Sequence, residues 1–153
     1  MPTLAVNKKA RFDYEILTEY EAGIVLSGQE VKAVRDKQIS LKGSYVTIDK
    51  NQEVFLVNAS ISAYKYAYKA DDYDPTRTRK LLLNKKEIIS IQSKLQQTGL
   101  TLLALSFYTK NKQIKVKIAL AKGKKKHDKR ADLKAKETKK DIQRNLKQRF
   151  LRG

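Results

Sequence analysis

The 153-residue chain carries 34 Lys and Arg against 16 Asp and Glu, a formal charge of 34 − 16 = +18, which excludes a neutral metabolic enzyme as the starting point and calls for an anionic partner. Its 41% hydrophobic content suffices for one core of ordinary size and not for two. Cysteine is absent, excluding disulfides and thiolate metal sites, and no apolar run approaches the roughly 20 residues of a membrane span or the about 7 to 15 of a secretory signal, so a cytoplasmic protein is expected.

Residues 13–17 (DYEIL) read as the first strand. A short helix follows over residues 29–35, with Val31 and Val34 directed inward and Lys32 and Arg35 in water. Residues 44–48 (SYVTI) and 53–61 (EVFLVNASI), joined by the turn-type run DKNQ, form a hairpin. Tyr64, Tyr66 and Tyr68 then stand at alternate positions beside Lys65 and Lys69; on a strand they share one face, either to stack unpaired bases or, more plainly, to cover the barrel. Asp71, Asp72 and Asp74 lack the spacing of a calcium loop and read as solvated acids. Residues 79–83 (RKLLL) are another strand. Residues 84–97 carry the fullest helix signal: Asn84 as cap, Glu87 three residues on, a stripe of Ile88, Ile91 and Leu95, and Gly99 as the stop. Residues 100–108 and 113–121, joined by TKNK, make the clearest hairpin, in which Ile114, Val116, Ile118 and Leu120 face a core while Lys115, Lys117 and Ala119 face outward. Short antiparallel strands with helices at their ends predict a small barrel or an α+β sheet.

Composition breaks at Gly123. Residues 1–120 hold 20 basic and 12 acidic side chains, a net of +8, whereas residues 121–153 hold 14 and 4, a net of +10. The chain thus divides into a body, residues 1–122, and a basic tail, residues 123–153. Leu133, Ile142, Leu146, Phe150 and Leu151 are too few to offset chain entropy, so the tail is expected to be disordered when free. Gly and Pro are missing between Lys124 and Arg152, and Ile142, Leu146 and Phe150 recur at four-residue spacing. A helix is therefore expected on binding, roughly 30 Å long over residues 131–150.

Catalysis fits poorly. The single histidine, His127, lies in the lysine-rich tail with only its sequence neighbour Asp128 beside it, which is no triad. No phosphate-cradling glycine loop occurs. No enzyme activity, cofactor, metal or small-molecule substrate is expected. Nucleic acid suits the charge, because Lys and Arg contacts to phosphate gain free energy from counterion release. The tail alone also reads as a solubilising or membrane-surface segment, but it shows no bulky apolar face before Ile142. The residues by themselves point to an RNA-binding β-barrel protein.

NKKARFDYEI (7–16), EYEAGIVLSGQEVKAVRD (19–36), SLKGSYVTI (40–48), EVFLVNASIS (53–62), DPTRTRKLLLNKKEI (74–88) and LAKGKKKHDKR (120–130) together resemble the SsrA-binding protein family, small protein B (SmpB), over nearly the whole chain. The resemblance implies a mainly β fold: an oligonucleotide-binding-type (OB) antiparallel β-barrel with flanking helices and a disordered basic C-terminal tail. It also implies binding of the transfer-RNA-like domain of transfer-messenger RNA (tmRNA, SsrA) and its delivery to stalled ribosomes for trans-translation. A ribosomal protein that binds ribosomal RNA is the alternative sharing charge and barrel.

By the same resemblance, Asn7, Glu21 and Leu82 contact tmRNA near its elbow and D-loop, with Lys8, Lys9, Arg11, Arg77, Arg79 and Lys80 supplying phosphate contacts. A carboxylate repels phosphate, but Glu21 can accept hydrogen bonds from base edges; otherwise it is a surface acid paired with lysine. Leu82 packs against a base or sugar, or else lies in the core. Lys124, Lys125, Lys126, His127, Asp128, Lys129 and Arg130 match the family's tail element, which implies a place in the empty mRNA channel near the small-subunit decoding centre. Residues 64–74 depart from the family's loop, so the tyrosines there inherit no role, and the terminal FLRG has none assigned.

Overall fold

The computed structural model describes residues 2–65, 73–97 and 99–124. Its elements run β1 (Thr3–Val6), α1 (Lys8–Asp13), β2 (Tyr14–Ile24), α2 (Gly28–Arg35), β3 (Ile39–Ser40), β4 (Tyr45–Ile48), β5 (Val54–Val57), β6 (Ser60–Ile61), β7 (Arg79–Leu82), α3 (Lys85–Leu95), β8 (Leu100–Lys110) and β9 (Gln113–Gly123). Seven strands pair in the order β1-β8-β9-β2-β7-β5-β4, every neighbour antiparallel, and the sheet curls until β4 lies against β8. β3 and β6 form a separate two-stranded ladder. The antiparallel barrel with flanking helices is thus present. No helix among the described residues is long and apolar enough to cross a membrane.

Local chemistry fixes the turns. Asn111 and Lys112 both adopt positive φ (51° and 65°), so the β8–β9 hairpin closes in two residues, tighter than the expected TKNK, with Lys110 opposite Gln113. Between β4 and β5, Asp49 accepts from the backbone N–H groups of Asn51 and Glu53, both at 2.9 Å. The strand expected over residues 53–61 is in fact two: Asn58, at φ 64°, ends β5, and the chain re-enters as β6 beside β3.

The capping box expected at Asn84 and Glu87 occurs instead on α2. Ser27 Oγ accepts from the Glu30 N–H at 3.2 Å, and the Glu30 carboxylate accepts from the Ser27 N–H at 3.0 Å. Asn84 does hold the N-cap position of α3, but its side chain makes no capping hydrogen bond, and the helix ends at Leu95 rather than at residue 97.

The barrel core gathers Val46, Leu56, Leu81, Phe107, Val116, Ile118 and Leu120, sealed by Val34 of α2 and by Ile88 and Ile91 of α3. Each such side chain contributes about 1.5 to 3 kcal/mol on burial. Val31 is only half-buried, whereas Lys32 and Arg35 are exposed as expected. A second, smaller cluster lies on the opposite sheet face, where Ala10 of α1 packs on Leu103, Leu105, Ala119 and Ala121. Ala119, expected outside with the lysines, is covered by α1. The outer face of β2, β8 and β9 therefore has two halves, one under α1 and one open.

Candidate nucleic-acid interface

Directly paired residues of an antiparallel sheet share a face. Leu82 pairs with Gly23, Gly23 with Lys115, and Lys115 with Tyr108, giving one row across β7, β2, β9 and β8; two residues along, Glu21 pairs with Lys117. The open half-face thus assembles Glu21, Leu82, Tyr108, Lys115 and Lys117. Glu21 is held from both sides: Tyr108 Oη donates to Oε1 at 2.9 Å, and Lys110 Nζ to Oε2 at 3.1 Å. The Tyr108 hydroxyl foremost, then Lys110, hold this carboxyl below the usual carboxylate range. In return, burial and the Glu21 carboxylate push the Tyr108 phenol up to about 12. A carboxylate has roughly four acceptor positions. Two are used within the protein, and a side chain 37% exposed leaves acceptor capacity for N–H donors on a base edge.

Further cations lie along the same strand at Glu19. Arg11 of α1 lies 3.5 Å from Glu19, whose other oxygen is 3.7 Å from Lys117, and Lys117 Nζ sits 5.9 Å from the centre of the Tyr108 ring. Exposed pairs of this kind contribute little to stability and are readily exchanged for phosphate. On β7, Lys80 and Leu82 are exposed while Arg79 and Leu81 are buried, so alternation settles Leu82 on the outside. Lys80 pairs loosely with Glu53 at 3.6 Å. Lys8 and Lys9 are exposed on α1.

Two expected RNA contacts turn inward. Asn7 is buried at the N-cap of α1: Oδ1 accepts from the Ala10 N–H at 3.1 Å, while Nδ2 donates to the carbonyls of Ala104 at 3.1 Å and Leu41 at 3.4 Å. Its amide is consumed in pinning α1 to β8, which places Lys8, Lys9 and Arg11. Arg79 has no exposed surface. Its guanidinium donates to Glu30 at 2.8 Å, to the carbonyls of Ala59 and Pro75, each at 2.9 Å, to that of Arg77 at 3.1 Å, and to Tyr73 Oη at 3.4 Å. A phosphate cannot reach it, so its work is structural. Arg77, partly exposed, forms an ion pair with the same Glu30. Burial pushes the Glu30 carboxyl up, but Arg77, the Ser27 N–H and Arg79 outweigh it and hold it at about 2.

Tyr64 is half-buried against the core with Lys32 Nζ 5.5 Å from its ring centre, which fits the covering role rather than stacking. Tyr73 is tied down as well, its hydroxyl donating to the Ile61 carbonyl at 2.6 Å. Tyr66, Tyr68, Asp71 and Asp72 lie outside the described residues. So do Lys125, Lys126, His127, Asp128, Lys129 and Arg130; of the expected tail element only Lys124 is described.

The SmpB protein family model matches residues 4–148. The chain belongs to the SmpB family. Relatives named SsrA-binding protein include that of Thermosynechococcus vestitus, 46% identical over 95% of each chain, and that of Listeria welshimeri, 49% identical over 95% of this chain and 94% of the relative. A third, from a Sulfurihydrogenibium species, is 50% identical over 94% of this chain and 93% of its own. Among solved structures, one described as tmRNA-SmpB at the centre of the bacterial ribosome matches with a TM-score of 0.67 and 42% identity, covering 82% of this chain and 87% of the other.

For this SmpB family member the candidate interface also includes groups that no sequence motif marks. Tyr108 and Lys110 orient Glu21, and Lys115 and Lys117 flank it. The period-two pattern put both flanking lysines on an outer face; only strand register showed that this face is shared with Glu21 and Leu82.

Proposed function

We propose that this chain binds the transfer-RNA-like domain of tmRNA with the open face of its barrel and delivers it to stalled ribosomes for trans-translation, with no catalytic step of its own. The observation that carries the reading is the outward carboxylate of Glu21, held by Tyr108 and Lys110 among Lys115, Lys117 and Arg11 on a barrel similar to one solved as tmRNA-SmpB. Cations give affinity for any RNA backbone, whereas an exposed acceptor with fixed geometry favours an RNA that offers base N–H groups at that place. Leu82 adds apolar contact, and Lys8, Lys9, Lys80 and Arg77 extend the phosphate track.

The basic tail of residues 123–153 forms the second part of this reading: it enters the mRNA channel only when no message fills it and folds there near the decoding centre through Lys124 to Lys126, His127, Asp128, Lys129 and Arg130. The cytoplasm, where ribosomes stall, is the expected compartment. A chain ending after Lys124 separates the two parts. Because β9 runs to Gly123, which pairs with Tyr14, an earlier cut would fray the barrel. That shortened chain is expected to prefer tmRNA over bulk RNA as the full chain does, yet to leave nonstop products untagged. Loss of tmRNA preference, or normal tagging, contradicts the division.

A further inference from the structure

The open face runs from β8 to β7, and the sheet holds its two margins unequally. β8, β9 and β2 pair along most of their length, whereas β2 and β7 share only two residue pairs, Gly23 with Leu82 and Ile24 with Leu81. At the other margin the β8–β9 hairpin ends in Asn111 and Lys112, both at positive φ. Such a turn is ordinarily Asn-Gly, because the left-handed conformation crowds the side chain of nearly every residue but glycine, asparagine and aspartate. Lys112 therefore keeps its conformation against a steric cost that a contact from outside the turn can offset.

That contact comes from α2. Arg35, the last residue of the helix, donates from Nη2 to the Lys112 carbonyl at 3.1 Å, across 77 residues of sequence. Immediately before the turn stands Lys110, whose ammonium reaches over β9 to Glu21 Oε2 at 3.1 Å. Near the start of the same helix, Glu30 binds Arg77 and Arg79, the latter being the first residue of β7. α2 thus bridges β7 to the end of the hairpin, independently of the sheet's own pairing. We infer that Arg35 is a positioning residue for RNA selection: by fixing the Lys112 carbonyl it holds the turn, and with it the Lys110 ammonium that aims Glu21, while α2 ties that margin to β7 and Leu82. Arg35 acts through these neighbours, not on the RNA itself. The inference rests on the RNA-binding reading above and adds to it how the open face keeps its shape. Arg35, Lys110 and Lys112 also line one hollow of about 720 Å³ with no acidic residue in its wall, which makes direct contact of Arg35 with phosphate the competing outcome.

The test uses the full chain and compares its affinity for tmRNA with that for bulk RNA. Arg35→Met is expected to lower the preference for tmRNA about threefold to tenfold, the range of one net hydrogen bond. The Glu21 carboxyl, held down by Tyr108 and Lys110, should then titrate nearer its ordinary value in carbon-detected NMR. In a Glu21→Ala background the same substitution should change the preference by less than about twofold, because the group it positions is gone. Lys112→Gly guards against a merely misfolded variant. Glycine adopts positive φ readily, so in the Arg35→Met, Lys112→Gly chain the turn holds itself and most of the lost preference returns, although a second cation has been removed. Losses that add in the Glu21→Ala background, or a further fall on Lys112→Gly with the salt slope reduced by roughly 0.7 to 0.9 per cation, assign Arg35 to phosphate and overturn the inference. An unchanged preference with an unmoved Glu21 titration overturns it equally. Failure of the wild-type chain to prefer tmRNA over bulk RNA defeats the broader reading instead and is seen without any variant.

Discussion

Glu21 and Glu30 are both carboxylates held below their ordinary ionisation range by hydrogen bonds and cations, yet one is open to solvent and the other has no exposed side-chain surface. At Glu30 every acceptor position is spent on the protein: the Ser27 N–H, Arg77 and Arg79. At Glu21 two donors orient the group and the rest faces outward. The same chemistry therefore serves cohesion where water is excluded and leaves free acceptor capacity, the basis of the proposed recognition, where it is not. Net charge does not separate the two roles; exposure and the number of occupied acceptor positions do.

The largest expected effect lies at the sealed centre. Arg79→Met leaves Glu30 buried beside one partly exposed arginine, and breaking a buried pair from one side costs about 3 to 5 kcal/mol. Urea unfolding measures it, and a loss under about 1 kcal/mol would show that the centre is not dry. Acid probes the same group. The folded Glu30 value of about 2 lies below its unfolded 4.5, so its contribution is fully present above pH 4.5 and is lost as pH falls through about 2. The amount is on the order of 3 kcal/mol. Unfolding free energies compared between pH 6 and pH 3 should fall in the wild type and fall less in Glu30→Gln.

Glu21→Ala gives the opposite profile. Its unfolding midpoint should match that of the wild type, while the ratio of tmRNA to bulk RNA affinity drops roughly tenfold or more, the scale of a base-edge hydrogen-bonded pair. Equal weakening for both RNAs would reduce Glu21 to a surface acid. Ser27→Ala should cost about 1 kcal/mol by removing the cap of α2, read by thermal melting. The smallest effect is expected from Tyr108→Phe. Without the hydroxyl the Glu21 carboxyl titrates closer to its ordinary value, an upward move that carbon-detected NMR of the side chain resolves, and a static titration would remove Tyr108 from the interface.

β9 was legible from its strict alternation, and β4, β7 and β8 from apolar runs bounded by turn-type residues, while the run over residues 53–61 holds β5 only in its first half. β1 and α1 were not. Six residues make no helix unaided, and α1 exists through the Asn7 cap and the seating of Ala10 on β8 and β9, which are contacts across the fold. Arg79 misled for a related reason. In DPTRTRK it looks like one of a phosphate-binding cluster, and its neutralising partner Glu30 lies 49 residues away. LLL carries no alternation of its own and leaves Leu82 open to core or surface alike; the pairing of β7 decides it. The grouping of Tyr108, Lys115 and Glu21 depends on strand register, which no local pattern encodes.

Glu30 also joins two tasks that proteins commonly keep apart, since one carboxylate both caps α2 and neutralises the arginines that anchor residues 73–79. Neither can let go while the other stays intact. Opening of the helix start and release of that segment should be one cooperative event, so amide protons at the N-terminus of α2 and those around Arg79 are expected to exchange with a common free energy. The stretch of chain leading into Lys80 and Leu82 thereby inherits the rigidity of a helix remote from it in sequence.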